Sequence, residues 1–333
     1  MKLKTFFAVV VAMVGIAIYV FNHYRGTDTE TETGHKTAEV PDITIELTQE
    51  RIENGKYLAN AVYMCMDCHS ERQYNRFGNE IVEGTLGKGS NLFGLKDAFP
   101  GDYYAQNITP YALKDWSDGE IFRAITKGVN KDGERMYPIM PYIEYGIQDP
   151  EDIYDIIAYL RTIPAIKGDN PRGSSNLPIE FMVDPIAMES IPRTKPDISN
   201  KVAYGEYLVN AATCSGCHTP RDKRGAPILG LEFAGGTPFY VPAGKVYSAN
   251  ITTDLQTGIG GWSKEVFIER FKRFEDPGAP INTQTVEPGE FNTAMPWRLY
   301  SKMEESELEA IYEYLQTLAP VTNSVHRFKP VAQ

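Results

Sequence analysis

Cys214-Ser215-Gly216-Cys217-His218 and, earlier in the chain, Cys65-Met66-Asp67-Cys68-His69 share the pattern C-x-x-C-H. This spacing is the attachment signature of c-type haem. Two thiols two residues apart reach the two vinyl groups of one porphyrin, and the adjoining His is carried to one face of the iron as an axial ligand. The two copies use all 4 cysteines of the chain. Zinc would also take paired C-x-x-C, but the copies lie much too far apart for a zinc ribbon, and a His directly after each pair would go unused. A thioredoxin-like redox pair would need a βαβ pattern, which the sequence lacks.

The flanks of the two motifs match. Asn54-Gly55-Lys56-Tyr57-Leu58-Ala59-Asn60-Ala61 precedes the first and Tyr204-Gly205-Glu206-Tyr207-Leu208-Val209-Asn210-Ala211 the second. Asn107-Ile108-Thr109 and Trp116-Ser117 recur as Asn250-Ile251-Thr252 and Trp262-Ser263, Met140-Pro141-Tyr142 as Met295-Pro296-Trp297, and Tyr159-Leu160 as Tyr314-Leu315, all in one order. Self-similarity of this kind marks a duplicated unit. Each copy reads as mainly α. Gly55 to Met64 is expected to be a short helix running into the motif. Ser117-Asp118-Gly119-Glu120 is a capping box opening a helix that stops at Gly128, and Ser263 caps its counterpart. Asp149-Pro150 opens the last helix of the first unit, whose Ile153, Ile156, Ile157 and Leu160 follow the i, i+3, i+4, i+7 rule. Leu308, Ile311, Tyr312 and Leu315 repeat that stripe. Gly- and Pro-rich loops join the helices, without sustained strand alternation.

The expected organisation follows from this repeat. Residues 49–165 form the first unit, 166–200 a proline-rich connector packed against the units, 201–321 the second unit, and 322–333 a short tail whose one notable residue is His326. Residues 1–24 hold Lys2 and Lys4 followed by an apolar run from Phe6 to Phe21. We read this as an uncleaved transmembrane anchor with the body exported; the alternative is a cleaved signal peptide releasing the protein to the periplasm. Residues 25–48 read as a flexible tether. The chain of 333 residues carries a net charge of −11, which argues against a nucleic-acid partner and suits docking to a basic protein surface.

The sixth iron ligand is read from the histidine count. Of 5 histidines, His69 and His218 lie in the motifs, while His23, His35 and His326 fall outside both units. Bis-His ligation within a unit is therefore impossible, and the Met thioether is the natural alternative. Met140 and Met295 align, each followed by Pro and an aromatic residue. Met136 and Met303 have no counterpart, and Met64 and Met66 sit too close to the attachment site to reach the far face. Trp116, Trp262, Tyr142 and Trp297 line the haem pockets or serve as core aromatics. Asn107 and Asn250 bond haem propionates or shape a turn.

With these residues in hand, the chain resembles the cytochrome c subunits of bacterial membrane-bound alcohol, aldehyde and gluconate dehydrogenases. The resemblance rests on Gly205-Glu206-Tyr207-Leu208-Val209, Cys214 to Asp222, Phe233-Ala234-Gly235-Gly236, Tyr247 to Asp254, Thr257 to Ser263 and Ala294-Met295-Pro296-Trp297, with Met136 to Tyr142 in the first unit. It covers nearly everything from Arg51 to Val321. It implies two tandem class I-like cytochrome c domains, each with one covalently bound haem c and a His/Met-ligated iron. It also implies an electron carrier rather than an enzyme, passing electrons from a dehydrogenase towards an oxidase or another cytochrome in a periplasmic respiratory chain. The alternative from another class is a dihaem peroxidase-like or thiosulfate-oxidising enzyme. The family's subunits usually carry three haem domains; this chain has two motifs.

Overall fold

The structure, a computed structural model, describes residues 38–89, 92–93, 101–168, 171, 173–176, 190–222 and 226–331. The expected anchor, the first part of the tether and the centre of the connector lie outside these residues. Thr48 accepts a hydrogen bond from the Arg51 N–H, so the first helix, α1 (Gln49–Tyr57), starts earlier than its apolar pattern indicates. It runs on through a π-helical turn, Leu58–Val62, into the short α2 (Cys65–Cys68). Two small hairpins follow, β1 (Arg72–Gln73) with β2 (Glu80–Ile81) and β3 (Leu92–Phe93) with β4 (Gly101–Tyr104). Then come α3 (Pro110–Leu113), α4 (Asp118–Lys127), α5 (Tyr142–Tyr145) and α6 (Pro150–Thr162). The expected capping box at Ser117 and Glu120 is formed, Gly128 closes α4 in the left-handed region at φ 63°, and Asp149 caps α6.

The short strand β5 (Ser174–Ser175), paired with β4, begins the connector. The second half opens with α7 (Lys201–Ala211) and α8 (Cys214–His218). It continues with a hairpin of β6 (Pro238–Val241) and β7 (Gly244–Tyr247), then α9 (Lys264–Lys272), α10 (Pro280–Thr283), α11 (Trp297–Tyr300) and α12 (Glu305–Leu315). The tail supplies β8 (Phe328–Pro330), which pairs with β7. The molecule is thus mainly helical with small antiparallel sheets. The strands were not foreseen: each is only two to four residues long, too short to show alternation. Among the described residues no helix is long and apolar enough to cross a membrane.

In each half the first helix crosses the last at a glycine. A Cβ on Gly55 would lie 1.7 Å from the Asp155 carbonyl oxygen, and one on Gly205 would lie 1.9 Å from that of Ala310. Only glycine permits backbones this close, which explains Asn-Gly-Lys-Tyr and Tyr-Gly-Glu-Tyr in the repeat. The predicted stripes face inward: Ile153, Ile156 and Ile157 are fully buried, as are Leu308 and, nearly so, Ile311 and Leu315. Each such side chain stabilises the fold by about 1.5–3 kcal/mol. One buried cluster contains residues of both halves, from Leu58 and Ile156 to Leu208 and Leu308. The end of the expected tether is also packed, with Ile45 buried and its N–H bonded to Asp118 Oδ2 at 2.9 Å.

The halves exchange hydrogen bonds reciprocally. Tyr207 Oη, from α7, donates to Asp152 Oδ2 at 2.7 Å and accepts from the Asp149 N–H at 3.1 Å, at the N-terminus of α6. Tyr57 Oη, from α1, donates to Glu307 and accepts from the Glu304 N–H at 3.0 Å, at the N-terminus of α12. Tyr57 and Tyr207 occupy one repeat position, as do Asp149 and Glu304, and Asp152 and Glu307. Each unit thus helps to cap the last helix of the other, the relation of an isologous interface.

Candidate haem-binding sites

Each motif occupies one short helical turn that brings its two thiols to one side. All four cysteines are free of disulfides, and each keeps part of its surface accessible. The surrounding protein nevertheless disfavours a thiolate: burial pushes the Cys65 and Cys214 thiols up to about 12 and Cys217 up to about 11. Asp67, the charged residue inside the first motif, is buried and paired with Arg72.

The two imidazoles are held alike. His69 Nδ1 lies 2.6 Å from the Gln106 carbonyl oxygen, and His218 Nδ1 lies 2.7 Å from that of Ala249. A carbonyl is only an acceptor, so each Nδ1 carries the proton and each Nε2 presents its lone pair. Burial lowers the pKa of both rings, that of His218 to about 4, which keeps them neutral as iron ligation requires. The backbone closes the same loop twice: the Gly89 N–H donates to the His69 carbonyl at 2.8 Å and the Gly235 N–H to the His218 carbonyl at 2.7 Å. Paired thiols on one turn beside a neutral imidazole with a free Nε2 fit covalent haem with His ligation. Among the described residues no three or more His, Cys, Asp or Glu side chains converge as a metal-ion cluster.

The two methionines singled out by the repeat sit in one local conformation. Pro141 has φ −80° and ψ 51°, and Pro296 has φ −79° and ψ 61°, both inverse γ-turns. Each turn is closed at 2.8 Å, from the Tyr142 N–H to the Met140 carbonyl and from the Trp297 N–H to the Met295 carbonyl. The short helix after each turn then reaches back to its own motif. Tyr145 Oη accepts from the Met64 N–H at 3.3 Å, and Tyr300 Oη donates to the Ala212 carbonyl at 2.6 Å. Met140 and Met295 remain half-buried at the edge of the main core, whereas Met303 is 1% exposed and fills that core.

Asn107 and Asn250 shape turns. Asn107 Oδ1 accepts from the N–H and Oγ1 of Thr109 at 2.9 and 2.7 Å, and its Nδ2 donates to the Ile166 carbonyl at 2.8 Å. Asn250 repeats this with Thr252 and the Val321 carbonyl. Tyr142 is buried beneath Gly128, Trp116 and Trp262 lie against the main core, and Trp297 stacks on Phe274 with centroids 5.2 Å apart.

Sequence reasoning missed the closeness of the two motifs. Thr213 Oγ1, in the residue before Cys214, donates to Sδ of Met64, the residue before Cys65, at 3.3 Å. Thr213 adopts φ 52° to do so, a region a β-branched residue rarely enters. The Cys68 and Cys217 thiols lie near enough that charge on one would raise the pKa of the other. No spacing in the sequence signals this contact, because it crosses the interface between the copies.

No family model matches the chain. Among similar proteins of known description, the fructose dehydrogenase cytochrome subunit of Gluconobacter japonicus is 29% identical over 240 residues, covering 66% of this chain and 44% of that protein. The cytochrome c subunit of the quinone-dependent alcohol dehydrogenase of Gluconacetobacter polyoxogenes is 26% identical over 311 residues, covering 87% of this chain and 60% of that protein. A dihaem cytochrome c-type protein of Cereibacter sphaeroides is 27% identical over 164 residues, 46% of this chain and 53% of that one. The chain therefore spans about half the length of these relatives. Its homologues are cytochrome c subunits of dehydrogenases together with a dihaem cytochrome c, at modest identity.

Proposed function

We propose that the chain is a dihaem c-type cytochrome of two tandem class I-like domains that passes single electrons. Its leading support is the contact between Met64 and Thr213, which sets the two attachment motifs side by side. Cys65 and Cys68 hold one haem c, and Cys214 and Cys217 the other. His69 with Met140, and His218 with Met295, ligate the irons. When bound, each haem supplies a one-electron Fe(III)/Fe(II) couple, tuned by axial ligands, burial and nearby charge. The Gln106 and Ala249 carbonyls hold each imidazole in the tautomer that offers Nε2. Met140 and Met295, carried by the Met-Pro turns, would each offer a thioether, which would favour the reduced state relative to a second imidazole. The exchanged tyrosine caps join the two halves that would carry the redox centres.

The basic residues before the apolar run Phe6 to Phe21 support a single-pass anchor in the inner membrane, with the haem domains on the periplasmic side. Cleavage and release to the periplasm is the competing outcome, and N-terminal sequencing of the mature protein separates the two. The relatives' descriptions support a dehydrogenase as electron donor; the acceptor in this reading is an oxidase or a second cytochrome of a respiratory chain. The purified protein is expected to give two haems per chain by pyridine haemochrome assay. Both should be low-spin and reversibly reducible, and peroxide turnover should be absent. One haem per chain, or an open high-spin iron that turns over peroxide, would overturn the reading.

A further inference from the structure

The hairpin of β1 and β2 leaves the first motif and docks on the second half. Its base is tied to the motif: Arg72 pairs with Asp67, and the Val82 N–H donates to the Glu71 carbonyl at 2.9 Å. Its tip, residues 74–79, meets the chain on both sides of Met295. The Phe77 N–H donates to the Gln284 carbonyl at 3.0 Å, and the Val286 N–H donates to that of Asn75 at 2.9 Å. The Phe77 ring stacks on Phe274 with centroids 6.2 Å apart, and Phe274 stacks in turn on Trp297. Arg298, next to Trp297, donates to the Phe77 carbonyl at 3.2 Å and pairs with Glu80 at 2.9 Å.

Asn292 is the centre of this contact and is fully buried. Its Oδ1 accepts from the Gly78 and Thr293 N–H groups at 3.0 and 2.7 Å. Its Nδ2 donates to the Tyr74 and Arg76 carbonyls at 3.3 and 3.2 Å and to Asn79 Oδ1 at 3.3 Å. Asn79 Nδ2 returns a bond to the Thr293 carbonyl at 3.3 Å. Gly78 and Asn79 both take left-handed backbone, at φ 71° and 52°, and are residue types that tolerate it. Thr293, also buried, then accepts from the Met295 N–H on Oγ1 at 3.1 Å. The hairpin tip thus surrounds one amide side chain shortly before Met295, and an amide can accept and donate at once. The feature belongs to one copy of the repeat: Met140 follows Tyr137-Pro138-Ile139, where Met295 follows Asn292-Thr293-Ala294.

We propose that Asn292 is a positioning residue for Met295, with the hairpin of the first unit as its support. This rests on the reading of Met295 as an axial ligand. A thioether is released more readily when the segment that carries it is free to move. Here that movement would pull Asn292 from the hairpin and leave a buried amide unpaired, which is costly. The first unit thereby sets how firmly the second iron keeps its sixth ligand, although the hairpin is the sequence neighbour of the first motif.

Asn292→Ala and Asn79→Gly, made in the full chain, test this through the weak near-infrared Met-to-iron band of the oxidised protein. Met295→Ala comes first and should remove part of that band; if it does not, the ligand reading fails, whatever Asn292 does. Glycine suits the left-handed backbone at position 79, so Asn79→Gly deletes the side chain without strain. Imidazole is then titrated into the oxidised protein well below its melting temperature, with loss of the band as the signal, so that a general loss of stability is not read. In both variants the part of the band owed to Met295 is expected to weaken and to vanish at about tenfold lower imidazole than in wild type, the change that the loss of roughly one hydrogen bond produces. The remainder should titrate as in wild type. A full-strength band in Asn292→Ala that titrates within about twofold of wild type throughout would overturn the proposal. Where Asn292→Ala does not attach two haems, Asn79→Gly decides in the same way. Failure of both to attach them would also overturn it, because a residue that only positions Met295 leaves attachment at Cys214 and Cys217 intact.

Discussion

Tyr207→Phe removes a single oxygen that serves two hydrogen bonds across the interface between the halves. One is a donation to the Asp152 carboxylate at 2.7 Å, the other an acceptance from the Asp149 N–H at 3.1 Å. Hydrogen bonds to charged groups contribute about 1.5–3 kcal/mol, and neutral ones about 0.5–1.5 kcal/mol. Asp152 keeps Lys195 at 3.0 Å, so its charge is not stranded. The expected loss is therefore about 2–3 kcal/mol. Guanidinium unfolding of the haem-loaded protein, followed by far-ultraviolet circular dichroism, reads this as a lower midpoint at unchanged slope. Tyr312→Phe is the control, since Tyr312 Oη donates to the Trp262 carbonyl at 2.8 Å within one half. It should cost about 1 kcal/mol. A double-mutant cycle of Tyr207→Phe with Asp152→Asn should return a coupling of at least about 1 kcal/mol. A loss below about 0.5 kcal/mol for Tyr207→Phe, or a coupling near zero, would refute the view that these caps join the halves.

Met140→Ala and Met295→Ala should each remove part of the weak near-infrared Met-to-iron band of the oxidised protein, and an unchanged band in both would sink the ligand assignment. Gly205→Ala places a methyl group against the Ala310 carbonyl and should cost at least about 1–3 kcal/mol in a thermal melt, with near-neutrality the contrary result. Burial raises the Asp152 carboxyl above its usual range, outweighing Lys195 and Tyr207. The neutral form is thus favoured on folding, and this group's contribution should be lost as pH rises from the unfolded value of about 3.9 through the raised folded one. The stability gap between wild type and Asp152→Asn should therefore change against wild type over that window, and a gap independent of pH would contradict it. Ser117→Ala removes one side of the capping box and should lower stability by about 1 kcal/mol, measured by the same unfolding.

The local features proved readable because their causes are local. Ser117 and Glu120 cap because a hydroxyl and a carboxylate three residues apart meet two orphan N–H groups. The stripe Ile153, Ile156, Ile157, Leu160 lies on one face because of the helical period. The Met-Pro turns match because their sequences match. What escaped was short or distant. Thr48 lengthens α1 through one hydroxyl, and strands of two to four residues leave no alternation to see. The tail pairs with a hairpin far away in sequence: its one notable residue in the sequence reading, His326, is exposed, while Phe328–Pro330 just after it forms the strand.

By itself the sequence determined the chemistry of each half: paired thiols, an adjoining imidazole and a Met-Pro turn, given twice in the same order. These are matters of residue type and short spacing, which covalent geometry converts directly into local structure. Only the tertiary structure decided how the copies meet. Tyr57 and Tyr207 each read as part of a helix before a motif, and nothing in their own flanks says that they bond the opposite unit. The contact of Thr213 with Met64, and with it the placing of the two motifs side by side, exists because burial of one continuous apolar core pulls both halves together. Hydrophobic burial is non-directional. The reciprocal tyrosine caps supply the direction, and they become visible only when both copies are in place.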